Sequence, residues 1–394
     1  MYSVLQQLRM LAPFTFSLEK RFLRYCSRCK TASLTAVSWL GLVGIATLVH
    51  VNPAWGQGTT ASESTPADAT DLASLSSLET SILQDFADRV VLPSYAHLAV
   101  TTTDLTATTT QLAADPTEAN LARAQSAWRE ALLAWRRGTA YTFGPSDSLG
   151  FGGNLESGLD EAGITEFLNG NTSITPTTIA ALPSSLRGFE AIAYVLFGND
   201  NSRSIDQLSA RELTYLQALA IDLQTTAQDL SESWATGVEG YSAYRQVFVT
   251  AGDSNNPAYL SGQAALEEIA QGILGTTDEI VAEEIPGIIA ILTEAAEPPV
   301  GGNSLANIHS TTEGAYYAYV GGAPEASRLG KGLADYVAAN DPDVDADIQT
   351  QFQIALEALQ QADGDPGTLV TAAIALDQVM DQLQQEVLPL LQTP

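Results

Sequence analysis

Cysteine, histidine and basic residues are scarce in this chain of 394 residues, and each shortage argues against a class of function. The 17 lysine and arginine residues face 46 aspartate and glutamate residues, which gives a formal net charge of −29. Such an acidic chain is not expected to bind nucleic acid or anionic lipid by charge. This charge favours solubility, and it would attract metal cations or cationic ligands.

Residues 1–56 have the pattern of a secretory signal peptide. An apolar run over residues 34–51 leads to Ala54-Trp55-Gly56, which places small residues at −3 and −1 before Gln57. Basic residues precede that run: Lys20, Arg21, Arg24, Arg28 and Lys30. The alternative is an uncleaved membrane anchor, because the run is almost long enough to cross a bilayer. Cleavage near Gly56 is favoured, which predicts a periplasmic or extracellular protein.

Cleavage would also remove both cysteines, Cys26 and Cys29, and one of the three histidines, His50. Disulfides, thiolate ligands and cysteine nucleophiles are then excluded from the mature chain. Loss of six basic residues and one acidic residue takes the formal charge to −34.

The remaining sequence predicts an all-α fold. Residues 57–76, rich in Ser, Thr and Ala, read as a flexible linker. Residues 77–394 are predicted to form two antiparallel helical bundles, roughly 77–250 and 258–394. Apolar residues recur at steps of three and four over 213–234 and again over 369–387, which is typical of bundle helices. A Gly- and Pro-rich segment, 143–184, is too long for an ordinary connection, and we expect it to pack beside a site.

Three common catalytic or phosphate-binding motifs are absent. The sequence contains no His-Glu-x-x-His, no Gly-x-Ser-x-Gly and no Gly-x-x-x-x-Gly-Lys. Of the two histidines beyond residue 56, His97 is interpreted as a partly buried structural residue. His309 follows a Pro/Gly break and precedes Glu313, so it is a better candidate for a site.

Three segments together resemble the imelysin family of exported, iron-regulated proteins and their peptidase-like relatives. They are Trp128 to Trp135 with Phe143-Gly144-Pro145, then Leu186 to Gly198, and Glu313 to Gly321 followed by Gly332. The resemblance covers about 80–390. It implies two four-helix bundles, an exported location and a link to iron uptake.

The polar motif of that family is altered here. Its pattern is Gly-x-His-x-x-Glu on a helix, and the corresponding residues are Gly188, Glu190 and Ala193. Histidine and glutamate three residues apart share a helical face and could bind one metal. Where the family tends to have arginine and glutamate on the tryptophan helix, this chain has Leu132 and Thr139. The peptidase motif is therefore incomplete.

One principal hypothesis of function and two alternatives follow. The first is a non-catalytic exported protein of iron homeostasis that binds a metal ion or small metal chelate in the cleft between bundles. Iron or another divalent or trivalent cation would suit oxygen ligands, with Glu190 as the central ligand. The candidate helpers are Glu156, Asp160, Glu313 and His309. The alternatives are a metallopeptidase or an envelope structural protein with a protein partner; membrane contact is expected only through an uncleaved signal segment.

Overall fold

The computed structural model describes residues 66–294, 300–302, 304–324, 329–363 and 365–392, with side chains from residue 76 onward. The predicted signal peptide lies outside the described residues. The first described helix begins at Pro66, within the segment predicted as a linker. Residues 77–394 form one compact unit.

The described residues contain helices and connecting segments and no β-strand, which confirms the predicted all-α fold. The α-helices are α1 (Pro66–Asp85), α2 (Leu92–Ala114), α3 (Glu118–Arg137), α4 (Pro145–Ser148), α5 (Phe151–Leu155), α6 (Glu161–Asn169), α7 (Pro176–Ala180), α8 (Gly188–Phe197), α9 (Ala210–Ala235), α10 (Tyr244–Val249), α11 (Gly262–Glu279), α12 (Ile285–Leu292), α13 (Ser304–Val320), α14 (Leu333–Asn340), α15 (Pro342–Gln361), α16 (Pro366–Gln382) and α17 (Leu388–Gln392).

Three π-helical turns join α1 to α2, α11 to α12 and α16 to α17 without ending the helix: Phe86–Val91, Ile280–Glu284 and Leu383–Val387. A proline, Pro93, Pro286 or Pro389, follows each turn by two residues. Proline lacks an N–H and clashes with the carbonyl four residues earlier, and that carbonyl lies in the π turn in all three cases. The wider turn therefore lets proline lie inside a continuous helix.

The long helices pack along the apolar faces that the sequence predicted. In α9, Leu213, Leu216, Ala220, Leu223, Ala227, Leu230 and Trp234 are all buried. The second series, from Leu369 to Val387, is buried along α16 and the following π turn. Helices α2, α3, α8 and α9 contact one another, as do α11, α13, α15 and α16.

Contact between these two sets of helices runs mainly through α3 and α13. A Cβ at Gly314 of α13 would lie 1.9 Å from the carbonyl oxygen of Arg137 at the end of α3. Glycine is therefore required where these helices meet. None of the described helices has the length and apolar character needed to span a bilayer.

Candidate functional site

Gly188 fixes the start of the motif helix α8. Its φ is +81°, in the region that favours glycine, and a Cβ there would lie 2.5 Å from the carbonyl oxygen of Leu155. This close approach brings the first turn of α8 against the end of α5. Glu190 lies in that turn, and its Oε2 accepts a hydrogen bond of 3.3 Å from the backbone N–H of Ser157.

Glu156 follows α5 directly, and two side chains from the last turn of α3 contact its carboxylate. Trp135 donates its Nε1–H to Glu156 Oε2 at 2.7 Å. Arg136 forms an ion pair with the other oxygen, Oε1. The guanidinium of Arg136 also contacts Glu284 Oε1 at 3.2 Å, from the π turn after α11. One arginine thus joins carboxylates from both halves of the chain.

Carboxylates outnumber basic groups in this cluster. Burial and the neighbouring charge of Glu156 raise the pKa of Glu190 to about 8. Burial also raises the pKa of Glu284, to about 7, although Arg136 opposes the shift. The pKa of Glu279, near the same arginine and Glu156, is raised by burial as well. Four glutamates around a single guanidinium create a region of negative potential that favours protons or added cations.

A cavity of about 690 Å³ adjoins the cluster. Its walls come from the end of α3, the segment 139–156 and one face of α11. The lining residues are Trp135, Arg136, Thr139, Ala140, Thr142, Phe143, Asp147, Gly152, Gly153, Glu156, Glu268, Gln271, Gly272, Gly275, Thr276 and Glu279. The volume is in the range of small-ligand sites.

The structure brings together two of the five predicted site residues, Glu156 and Glu190. Asp160 instead caps the N-terminus of α6, where it accepts a 2.9 Å hydrogen bond from Gly163 N–H. His309 and Glu313 lie one turn apart on α13, with Nδ1 and Oε2 3.9 Å apart. Glu313 also lies 3.5 Å from the Nε of Arg137.

None of Glu279, Glu284 and Arg136 was predicted as a site residue from the sequence. Arg187, which precedes Gly188, is engaged elsewhere: its Nε lies 3.2 Å from Asp222 Oδ2, and both side chains are buried. No spacing rule links α3 to the far end of α11, so the signal for these residues was absent.

The altered motif positions take structural roles. Ala193 is buried and offers no ligand, and Leu132 is 6% exposed and packs in the core. Thr139 lines the cavity and donates its hydroxyl to the carbonyl oxygen of Arg136 at 2.9 Å. Within the ranges that the structure describes, no three His, Cys, Asp or Glu side chains have the arrangement of a metal site.

Comparison with known proteins gives consistent matches. The model of the family described as Imelysin, peptidase M75, matches residues 91–392. Iron-regulated protein A of Synechococcus elongatus is 31% identical over 331 residues, which are 79% of this chain and 86% of that protein. A crystal structure assigned as an iron-regulated protein A precursor, from Parabacteroides distasonis, has a TM-score of 0.67 at 21% identity and covers 81% of this chain and 96% of that one. An imelysin-like protein from Psychrobacter arcticum has a TM-score of 0.63 at 16% identity, covering 80% and 96%.

Proposed function

Because the chain belongs to the imelysin family, we propose that it is an exported, non-catalytic protein of iron homeostasis that binds a metal cation at the acidic cluster around Arg136. The link to iron comes from the name of its Synechococcus relative. Export is supported by the signal-peptide pattern of residues 1–56 and by the precursor name of the Parabacteroides protein.

The observation that carries the proposal is the excess of carboxylate at Arg136. Glu156, Glu190, Glu279 and Glu284 share this one guanidinium beside the cavity. Crowded carboxylates that are partly shielded from water and lack matching positive charge are costly to ionise, and a bound cation would relieve that cost.

The donor set suits a hydrated cation better than a fully protein-bound one. Both oxygens of Glu156 already accept from Trp135 and Arg136, whereas Glu190 accepts a long hydrogen bond of 3.3 Å from the backbone N–H of Ser157, so we assign the metal-ligand role to Glu190. Hard cations such as ferric iron or magnesium-like ions prefer oxygen and retain water readily. Glu190 would hold the cation, and Glu156 would add its charge.

The same donor set argues against a peptidase. Catalytic zinc normally has three protein ligands, most often including histidine, and a water in the fourth position. The cluster described around Arg136 contains no histidine, because His309 pairs with Glu313 on α13. We therefore assign no catalytic step to this site.

Titration calorimetry tests the metal site. Ferrous iron, ferric citrate and zinc are titrated separately into the wild type and into Glu190→Gln, with Glu232→Gln as a control that removes an exposed glutamate from α9. We expect one of the iron forms to bind the wild type and the control alike, and Glu190→Gln to weaken binding about tenfold or more. Failure of every cation to bind the wild type, or equal binding by Glu190→Gln, would contradict the proposal.

Export has its own test. The intact mass of the protein from its native source should correspond to a chain that begins at or within a few residues of Gln57. A mass that includes residues 1–56, together with recovery in the membrane fraction, would contradict cleavage and favour an anchor.

A further inference from the structure

One face of α11 forms a straight wall of the cavity. The wall residues of this helix are Glu268, Gln271, Gly272, Gly275, Thr276 and Glu279, which are separated by alternating steps of three and one and so return to the same face at every turn. Residues at these steps lie on one helical face. The first and last are eleven positions apart, so their Cα atoms are separated by about 16 Å along the axis. A carboxylate therefore stands at each end of the wall.

The end at Glu268 has no basic partner among the described residues. Tyr259 donates its hydroxyl to Glu268, and the hydroxyls of Tyr259 and Tyr244 are 2.7 Å apart. Asp147, from α4, is close enough to act on Glu268 electrostatically, and burial raises the pKa of both carboxyls. This end is distinct from the Arg136 cluster and offers several oxygens to a hydrogen-bond donor.

The middle of the wall combines two glycines, Gly272 and Gly275, with the polar residues Gln271 and Thr276. A Cβ at Gly272 would lie 2.2 Å from the carbonyl oxygen of Ala140, so that position is closed by packing. A Cβ at Gly275 would meet nothing within 4 Å, so the cavity is open there. The rings of Trp135 and Phe143 contribute apolar surface to the same cavity.

A buried hydroxyl beside the cavity also awaits a partner. Ser146 is 0% exposed, and its Oγ has no hydrogen-bond partner in the structure. A Cβ at the cavity-lining Gly152 would lie 3.0 Å from this Oγ and 3.7 Å from the ring of Trp135. The hydroxyl therefore faces the space beside Gly152. Ser146 itself does not line the cavity, so this hydroxyl lies behind the wall to which Gly152 belongs.

We propose that the cavity binds a linear polyamine, with one terminal ammonium at Asp147 and Glu268 and the other at Glu156 and Glu279. An ammonium group carries three N–H donors, which the carboxylates at either end can accept. Its methylene chain would lie over Gly275 between the rings of Trp135 and Phe143, where apolar contact and cation–π attraction are both available. This ligand class goes beyond the metal site at Glu190 and requires the far end of the cavity, which that site does not use.

Spermine and butylamine are the probes, titrated by calorimetry at about 150 mM salt to suppress weak binding to the acidic surface. We expect one spermine per chain and far weaker binding of butylamine, which can occupy only one end. Equal affinity for the two amines would overturn the proposal, since a single carboxylate cluster would then account for binding.

Two matched pairs of variants separate the cavity from the general negative charge. Glu268→Gln should weaken spermine binding about tenfold, as expected for loss of a charged hydrogen bond, whereas Glu267→Gln removes the same charge from a residue outside the cavity lining. Gly275→Leu should fill the cavity and weaken binding by at least as much without a change of charge, whereas Gly275→Ala should bind within about twofold of the wild type.

Unchanged spermine affinity in both Glu268→Gln and a folded Gly275→Leu would overturn the proposal and assign the binding to the surface. The metal site is tested independently, because Glu190→Gln should impair metal binding and leave the two-ended spermine site formed. Loss of metal binding in the wild type would therefore not alter the expected spermine result.

Discussion

Replacement of Glu190 by glutamine should make the metal-free protein more stable above neutral pH. Burial and the charge of Glu156 raise the pKa of this carboxyl to about 8 in the folded state, from 4.5. Between these two values the folded state holds a proton that the unfolded state has released. The free energy of unfolding therefore falls as the pH rises through this window. Glutamine is neutral at every pH and carries no such penalty.

The size of the effect follows from the gap between the two pKa values. Each pKa unit corresponds to about 1.4 kcal/mol, so the gap of about 3.5 units represents roughly 5 kcal/mol once the pH exceeds 8. Near pH 5 the carboxyl is largely protonated in the folded state and the penalty is below about 1 kcal/mol. The amide oxygen of glutamine can still accept from the backbone N–H of Ser157, which now lies 3.3 Å from Glu190 Oε2.

Urea denaturation followed by circular dichroism measures this difference. Wild type and Glu190→Gln are compared in chelator near pH 5 and near pH 8.5, with the exposed Glu232→Gln as the control. The two curves should nearly coincide at the lower pH, and Glu190→Gln should be more stable at the higher pH, where the control follows the wild type. A Glu190→Gln protein that is less stable than wild type near pH 8.5 would refute the reasoning and show that the carboxylate is a net stabilising group.

Three further substitutions test other parts of the structure by the same unfolding assay. Gly188→Ala should lower the free energy of unfolding by roughly 2–4 kcal/mol, because the backbone is left-handed there and the added Cβ would lie 2.5 Å from the carbonyl oxygen of Leu155. An unchanged free energy of unfolding would contradict that geometry. Arg187→Met should lower the free energy of unfolding by about 3–5 kcal/mol, because it leaves the buried carboxylate of Asp222 without its ion-pair partner. Addition of Asp222→Leu should recover much of that loss. Equal stability of the single and double variants would argue against a buried charge. Ser209→Ala should lower the free energy of unfolding by about 1 kcal/mol, because it removes the N-cap of α9. An unchanged free energy of unfolding would mean that the cap does not stabilise the protein.

The helical fold could be predicted from the sequence because apolar spacing is a local signal. The series from Leu213 to Trp234 records one face of a helix, and that face is buried along its whole length. Replacement of α-helical geometry by a π turn at Leu383 was not predicted. A following proline, Pro389, can also simply end a helix, so the sequence did not distinguish the two outcomes.

The candidate site was predicted only in part because its members are joined by tertiary contacts. Glu190 was located through the family motif, and Glu156 through its place in the Gly-rich segment. Glu279 and Glu284 were indistinguishable from the many solvated acidic residues of a chain with a net charge of −29. Their environment is set by the position of Arg136 on a distant helix, which periodicity does not encode.

An anomalous difference map from crystals of the protein grown with ferrous iron tests the location of the metal most directly. The proposed function predicts a peak beside the carboxylate of Glu190, in the acidic cluster around Arg136, and loss of that peak in Glu190→Gln crystals. A peak at the His309 and Glu313 pair, or no peak in a protein that binds iron in solution, would contradict a metal site at Glu190.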